Sequence, residues 1–191
     1  MPCGIHRVFL DTNVVQALEW LGEYIWYGDD AVLSSAKFAT AGEEAQKDYL
    51  AMRWMFGSPR GQPFEVVVSQ RSIVEFAATP HASRRASLIS HGTGLYDWSR
   101  EVDTHATPSD SEVNLALGLR QSLLLTLPDE IDRQLVAEAV MRDCDTFLTI
   151  DRRTIRKHEE VLERVALWTG LRTLRPSEAW ELIKPWAGLI W

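Results

Sequence analysis

The feature that most constrains the fold of this chain is a set of short apolar segments that alternate with longer segments of helical periodicity. Four of them are predicted to be strands: His6–Leu10, Phe64–Val68, Thr146–Ile150 and Leu171–Leu174. Strands that alternate with helices are usually joined by crossovers and pair in parallel. The sequence therefore predicts an α/β fold with a mainly parallel central sheet.

Apolar residues at helical spacing, with the residues that start and stop helices, predict the segments between these strands. Val14, Leu18 and Leu21 predict a helix after the first strand, and Pro128 with the acids behind it opens another. The other predicted helices are Ala41–Gly57, Gln70 through Glu75, the basic stretch Arg152–Lys157, and Pro176–Ile183. Residues 77–127 are expected to be mainly helical, and residues 1–191 are expected to form a single domain.

The charge balance and the apolar content exclude two broad classes of protein. The chain has 27 acidic and 20 basic residues, a net charge of −7, and is 46% hydrophobic. A generally basic protein that coats phosphates is excluded, so any cationic contact with nucleic acid must be local. Global disorder is excluded because the apolar surface is large enough to offset the entropy of the chain.

Cysteine usage and hydropathy indicate a protein of the cytoplasm. Cys3 and Cys144 lie far apart, which disfavours both a disulfide framework and a thiolate zinc site. The N-terminal apolar run Val8–Leu10 is too short for a secretory signal, and no run approaches the roughly 20 apolar residues of a membrane span. We therefore expect a cytoplasmic protein with no membrane partner.

Four carboxylates lie at the ends of predicted elements. They are Asp11, Glu75, Asp132 and Asp151. In parallel sheets ligands bind beyond the carboxyl ends of the strands, where these acids are expected to meet. Clustered carboxylates suit Mg²⁺ or Mn²⁺, and one or two such ions support the hydrolysis of a phosphodiester. The sequence therefore predicts a metal site of this type.

Each acid also has a purely structural interpretation. Asp11 could cap the helix that follows it, and Glu75 could be an ordinary solvated helix residue. Asp132 could complement a helix dipole, and Asp151 could cap the basic stretch behind it. The metal interpretation depends on the joint placement of all four.

Basic residues are densest directly after Asp151. Arg152, Arg153, Arg156 and Lys157 form this cluster. They could bind substrate phosphates beside a metal site, or form a solvated helix face. Arg71 is a further candidate, and it precedes Glu75 by four positions, at the spacing of a helical ion pair.

Several segments resemble the ordered motifs of PIN-domain ribonucleases. VFLDTNVV resembles the opening strand that ends in Asp-Thr-Asn, and SQRSIVEF resembles the Ser-led helix that delivers a Glu. DRQLVAEAVMRDCDTFLTID resembles the third and fourth motifs together, and LRTLRPSEAWELI the final strand and helix. The resemblance covers essentially the whole chain in the family's order.

The resemblance implies a three-layer α/β/α sandwich and metal-dependent cleavage of RNA that leaves a 3′-hydroxyl and a 5′-phosphate. The residues that match the metal ligands of the family are Asp11, Glu75, Asp132 and Asp151. Those expected to orient the ligands or a bound water are Thr12, Asn13 and Thr149. Asp145 matches an acid that could support the ligands, although a structural hydrogen-bonding role at a strand start is the preferred expectation.

The resemblance further implies the toxin of a toxin–antitoxin pair, an antitoxin protein as partner and a homodimer. The chain is longer than a compact protein of this kind, with an additional helix expected around residues 29–57. The long region 77–127 could be a clamp over substrate, a partner-binding arm or an elaboration.

Two other functions compete with the ribonuclease. A phosphohydrolase of the haloacid dehalogenase type requires a second Asp two residues after the first, where this chain has Asn13. A catalytically silent PIN-fold module that binds RNA or protein is the alternative from another class, and the presence of all four acids argues against it.

Overall fold

Four short strands form one sheet in the computed structural model, which describes residues 4–58, 62–102, 108–109, 111–113, 127–153 and 155–190. The strands are β1 (Arg7–Leu10), β2 (Glu65–Val68), β3 (Thr146–Leu148) and β4 (Arg172–Leu174). Their order is β2-β1-β3-β4, and each neighbouring pair is parallel. The predicted α/β fold with a parallel sheet is confirmed.

The helices occupy the segments between the strands. They are α1 (Thr12–Trp20), α2 (Ala36–Thr40), α3 (Glu43–Phe56), α4 (Gln70–Ala77), α5 (Ala82–Val102), α6 (Glu130–Met141), α7 (Glu159–Thr169) and α8 (Pro176–Ile190). A π-helical turn covers Glu23–Tyr27, and 3₁₀ turns cover Asp30–Ser34 and Arg156–His158. Within the predicted helical region 77–127, residues 103–107, 110 and 114–126 lie outside the described part of the chain.

The predicted basic helix Arg152–Lys157 is wrong. Arg152 and Arg153 lie in a turn, and the helical structure described between them and α7 is the single 3₁₀ turn Arg156–His158, with residue 154 outside the described part of the chain. The Asp151 carboxylate accepts a hydrogen bond from the backbone N–H of Arg153 at 2.6 Å. A local bond of this kind competes with helix formation, so the regular helix begins only at Glu159.

The apolar residues of the sheet lie on both of its faces. Val8 and Leu10 of β1 belong to a cluster with residues of α1, α3, α5 and α8. Phe9, between them, points to the opposite face and packs with residues of α6 and α7. Helices therefore cover both faces of the sheet, an arrangement compatible with the expected three-layer sandwich.

The carboxyl ends of the central strands lie at the same edge of the sheet. Leu10 of β1 pairs with Val68 of β2 on one side and with Leu148 of β3 on the other. The residues that follow these three strands are consequently neighbours. Among the described residues, no helix combines the length and the apolar character needed to cross a bilayer.

Candidate functional site

Asp11 lies where β1 ends and α1 begins. Its backbone N–H donates to the carbonyl oxygen of Leu148 at 3.0 Å, which extends the β1–β3 pairing by one residue. Asp11 occupies the N-cap position of α1, but its side chain makes no capping hydrogen bond. The interpretation of its carboxylate as a helix cap is therefore wrong.

The carboxylate of Asp11 is buried among polar and acidic groups. The residue is 1% exposed, and its Oδ2 accepts hydrogen bonds from Thr149 Oγ1 at 2.7 Å and from Asn13 Nδ2 at 3.5 Å. Burial raises the pKa of Asp11 to about 7; the Thr149 and Asn13 hydrogen bonds oppose this shift, and the charges of Asp132 and Asp151 add to it. Asp11 is thus a carboxyl group whose charged form is poorly stabilised by the side chains around it.

Asp132 reaches this region from the first turn of α6. Asp129 is the cap of that helix, and its carboxylate accepts from the backbone N–H groups of Ile131 and Asp132 at 2.7 and 3.4 Å. Asp132 itself is half-buried, and solvent does not reach its Oδ2 atom. Its position in the first helical turn also suits the helix dipole, so the structural and functional interpretations both fit its placement.

Asp151 is connected to Asp11 through Thr149. The hydroxyl of Thr149 donates to Asp11 and accepts the backbone N–H of Asp151 at 3.0 Å. The carboxylate of Asp151 also holds the following turn through the N–H of Arg153. Thr149 therefore orients the Asp11 carboxylate and connects it to the backbone of Asp151.

Glu75 lies on a neighbouring groove. It is a half-buried residue of α4, and it lines a cavity of about 700 Å³ between α4 and α6. The acids whose charges raise the pKa of Asp11 are Asp132 and Asp151. The structure thus brings three of the four predicted acids into electrostatic contact and places Glu75 beside the helix that carries Asp132.

Thr12 makes a structural contact. Its hydroxyl donates to Ser72 Oγ at 3.0 Å, and both residues are buried. This bond connects the start of α1 to α4, the helix of Glu75. Thr12 therefore acts on the relative position of the two helices, while Asn13 and Thr149 contact Asp11 directly.

Asp145 lies at the other edge of the sheet, so the expectation that it supports the ligands is wrong. Its Oδ2 accepts from the backbone N–H groups of His6 and Arg7 at 2.7 and 2.9 Å. Asp145 precedes β3 whereas Asp11 follows β1, and the four residues of β1 separate these edges by roughly 13 Å. Its contacts are those of the structural role that was preferred for it.

The basic cluster lies beside the site in the chain. The side chain of Arg152 is 45% exposed and its Nη2 lies 4.0 Å from the carboxylate of Asp48, while Arg153 and Lys157 are exposed. The side chain of Arg156 lies outside the described part of the structure. Contact of these residues with RNA stays a prediction.

A buried ionic network next to the site was missed from the sequence. Glu138 of α6 is fully buried; it accepts from Ser69 Oγ at 2.6 Å and from Nη1 of Arg142, also fully buried, at 3.3 Å. Arg71 of α4 approaches the same carboxylate at 3.4 Å. The signal available was a Glu four positions before an Arg within the apolar face of a predicted helix.

The donor chemistry fits a hard divalent ion. Within the described ranges, no group of three or more His, Cys, Asp or Glu side chains is gathered closely enough to hold a metal ion. Mg²⁺, however, commonly uses one or two carboxylates and retains several waters. The charges of Asp132 and Asp151 raise the pKa of Asp11, and the repulsion between these acids is what a cation would relieve.

Comparison with known proteins identified no relative of this chain. No protein-family model, no curated protein and no solved structure matches the chain.

Proposed function

We propose that this protein is an endoribonuclease that depends on Mg²⁺ or Mn²⁺ and has a PIN-like α/β/α sandwich. One observation carries the proposal. The buried carboxyl group of Asp11, at the carboxyl end of a central parallel strand, has a pKa of about 7 because of its burial and the charges of Asp132 and Asp151. Such a carboxylate lowers the stability of the fold when it is charged, and a bound cation would offset that cost.

The roles of the residues follow from their contacts. Asp11, Asp132 and Asp151 would hold the ion. Glu75 would contribute its carboxylate from α4, at the groove between α4 and α6. When bound, the ion would supply the activation of water and the neutralisation of phosphate charge. Thr149 and Asn13 hold the carboxylate of Asp11 in one orientation through their hydrogen bonds to its Oδ2. The Thr12–Ser72 bond keeps α4 against α1.

The proposal is tested with single-stranded RNA, in Mn²⁺ or in EDTA. We expect wild-type protein to cleave only with Mn²⁺, and Asp11→Asn and Asp132→Asn each to lose at least about 100-fold in rate. Asp97→Asn is the matched control, because Asp97 is exposed on α5. Cleavage that persists in EDTA, or in both site variants, would contradict the metal-dependent mechanism.

The silent binding module remains the second candidate, favoured by the absence of a larger metal-binding group in the described residues. It predicts that wild-type protein binds the same RNA without cleaving it in Mn²⁺. Equal RNA affinity of wild type and Asp11→Asn, with no cleavage by either, would decide for this module.

The toxin role, an antitoxin partner and a homodimer are part of the same proposal, supported by the resemblance of the motifs. Expression of wild-type protein in a bacterial host is expected to arrest growth, whereas Asp11→Asn at the same protein level is expected to be harmless. Light scattering of the purified protein measures whether the dimer forms. Equal growth arrest by both proteins would contradict a nuclease toxin.

A further inference from the structure

We infer that the groove between α4 and α6 binds the backbone of single-stranded RNA, with Arg71 as its phosphate-binding residue. This inference rests on the proposed function and specifies how substrate would reach the acids. The groove has a volume of about 700 Å³, and both helices contribute to its lining.

The groove leads to the candidate acids on both of its walls. Glu75 is one of its lining residues on α4, and Ile131, which lines the other wall, directly precedes Asp132. A strand lying in this groove would therefore pass the helix turn that carries Asp132.

Arg71 is held at the groove by a buried anchor. Its side chain is 18% exposed, with Nη1 3.4 Å from Glu138 Oε2 and Nε 3.4 Å from Gln134 Oε1. Glu138 also has the fully buried Arg142 and the hydroxyl of Ser69 as partners. The charge of Glu138 is therefore shared between Arg71 and Arg142.

The chemistry of a guanidinium matches a phosphate. Its donors lie along more than one edge, so Arg71 can keep Glu138 on one edge and face a phosphate with another. The protein carries a net charge of −7, so RNA affinity requires a local cation of this kind. Arg71 supplies it between the two helices.

The remaining lining residues suit a sugar–base chain. Gln70 offers an amide that can hydrogen-bond to sugars and base edges, whereas the amide of Gln134 bonds Arg71 and Glu130. Val74 is 68% exposed and Ile131 39% exposed, and both can contact base faces without rearrangement. A lining that combines a guanidinium, amides and exposed apolar side chains suits a single strand, whose phosphates and base faces are both accessible.

The decisive test changes charge at Val74, which is exposed and outside the Glu138 network. Affinity for a short fluorescent single-stranded RNA is measured by anisotropy in EDTA, where cleavage is not expected. We expect Val74→Lys to bind about threefold tighter and Val74→Glu about threefold weaker than wild type. Leu167→Lys and Leu167→Glu are the matched controls, because Leu167 is an 84% exposed residue of α7.

Arg71→Gln provides an independent measurement. We expect the KM for RNA to rise about tenfold with little change in kcat, and the salt dependence of binding to fall by the equivalent of one phosphate contact. Arg71→Lys, which keeps the charge, is expected to recover part of the loss. A structural role alone would move thermal stability without this change in salt dependence.

The outcomes separate the two proposals. If wild type cleaves RNA through Asp11 but the Val74 pair behaves like the Leu167 pair, the groove proposal is overturned and the proposed function stands. If wild type neither binds nor cleaves RNA, the proposed function fails and the groove proposal fails with it. Opposite shifts for the two Val74 variants, absent at Leu167, support the groove proposal, and cleavage that depends on Asp11 supports the proposed function.

Discussion

Asp11 and Asp48 are both aspartates that are 1% exposed, yet their surroundings are opposite. The Asp48 carboxylate accepts from Nε and Nη2 of Arg175 at 3.0 and 2.8 Å and from the backbone and hydroxyl of Ser177 at 3.2 and 2.7 Å. The Asp11 carboxylate has neutral donors from Thr149 and Asn13, and its charged neighbours are other acids.

The difference separates an architectural acid from a functional one. Asp48 on α3 is neutralised by Arg175 and joins α3 to the start of α8, so its charge stabilises the fold. Asp11 has no such compensation from the side chains that shift its pKa, and its burial costs stability unless a ligand supplies the positive charge. A buried carboxylate therefore indicates a functional site only when the side chains around it leave its charge uncompensated.

The largest effect expected from this comparison is at Asp48. Asp48→Ala should lower the free energy of unfolding by about 3–5 kcal/mol, because it removes the buried carboxylate that accepts two hydrogen bonds from Arg175 and two from Ser177. Arg175 keeps its ion pair with Glu44. Urea denaturation measures the change, with Asp97→Ala on the surface of α5 as the control. A loss below about 1 kcal/mol would show that Asp48 is not the architectural acid of the pair.

Substitution of Asp11 is expected to change the free energy of unfolding in the opposite direction. Asp11→Asn, in EDTA at about pH 8, should be more stable than wild type by at most about 4 kcal/mol, the value that corresponds to a pKa raised from 3.8 to about 7. Asparagine keeps an acceptor for the Thr149 hydroxyl and removes the charge.

The sign of this effect gives a pH dependence. Above about pH 7, Asp11 is charged in both the folded and the unfolded state, and the full cost of burying the charge is present. As the pH falls toward about 4, the folded state binds the proton first, and wild type gains stability relative to Asp11→Asn. The difference between the two proteins should therefore vanish near pH 4; a difference that is constant with pH would contradict the raised pKa.

Metal binding should stabilise wild type and leave Asp11→Asn unchanged. Mn²⁺ at about 100 times its dissociation constant is expected to stabilise wild type by about 2.7 kcal/mol and Asp11→Asn not at all. Asp145→Asn, at the opposite edge of the sheet, should keep the response to Mn²⁺ even if the variant is itself less stable. Equal Mn²⁺ stabilisation of wild type and Asp11→Asn would place any ion elsewhere.

The smallest expected effect concerns a buried thiol. Burial raises the pKa of Cys144 to about 12, although the charges of Arg7 and Arg142 act to lower it. A Cys3→Ser variant, in which Cys144 is the remaining thiol, should therefore show no measurable reaction with iodoacetamide while folded and rapid reaction when denatured. Fast labelling of the folded protein would show that nearby cations outweigh burial here.

β1, β2 and β3 were predictable because each contains a short run of buried apolar residues, which leaves little ambiguity with a surface helix. β4 is a half-buried Arg-Thr-Leu segment and was the weakest of the four signals. The basic stretch after Asp151 was misread as a helix, since composition does not reveal that the Asp151 side chain bonds the N–H of Arg153. The helix α7 that follows was not predicted, although Leu162 and Val165 recur at helical spacing within it.

The positions of Asp11 and Asp151 follow from where the predicted strands end, but the interactions of the candidate acids do not. Glu138 has the sequence context of an ordinary helical Glu, and only the packing of α6 against the end of β2 brings Ser69 to its carboxylate. Asp145 and Asp151 both flank β3, and the direction of the strand alone assigns one to each edge of the sheet.

The sequence by itself determined the alternation of strands and helices and the presence of acids at the strand ends, because periodicity and strand length are local properties. The tertiary structure decided which acids act on one another and which are neutralised. Desolvation and Coulomb interactions depend on distance and burial in three dimensions, so Asp11 and Asp48 become different groups only in the folded chain.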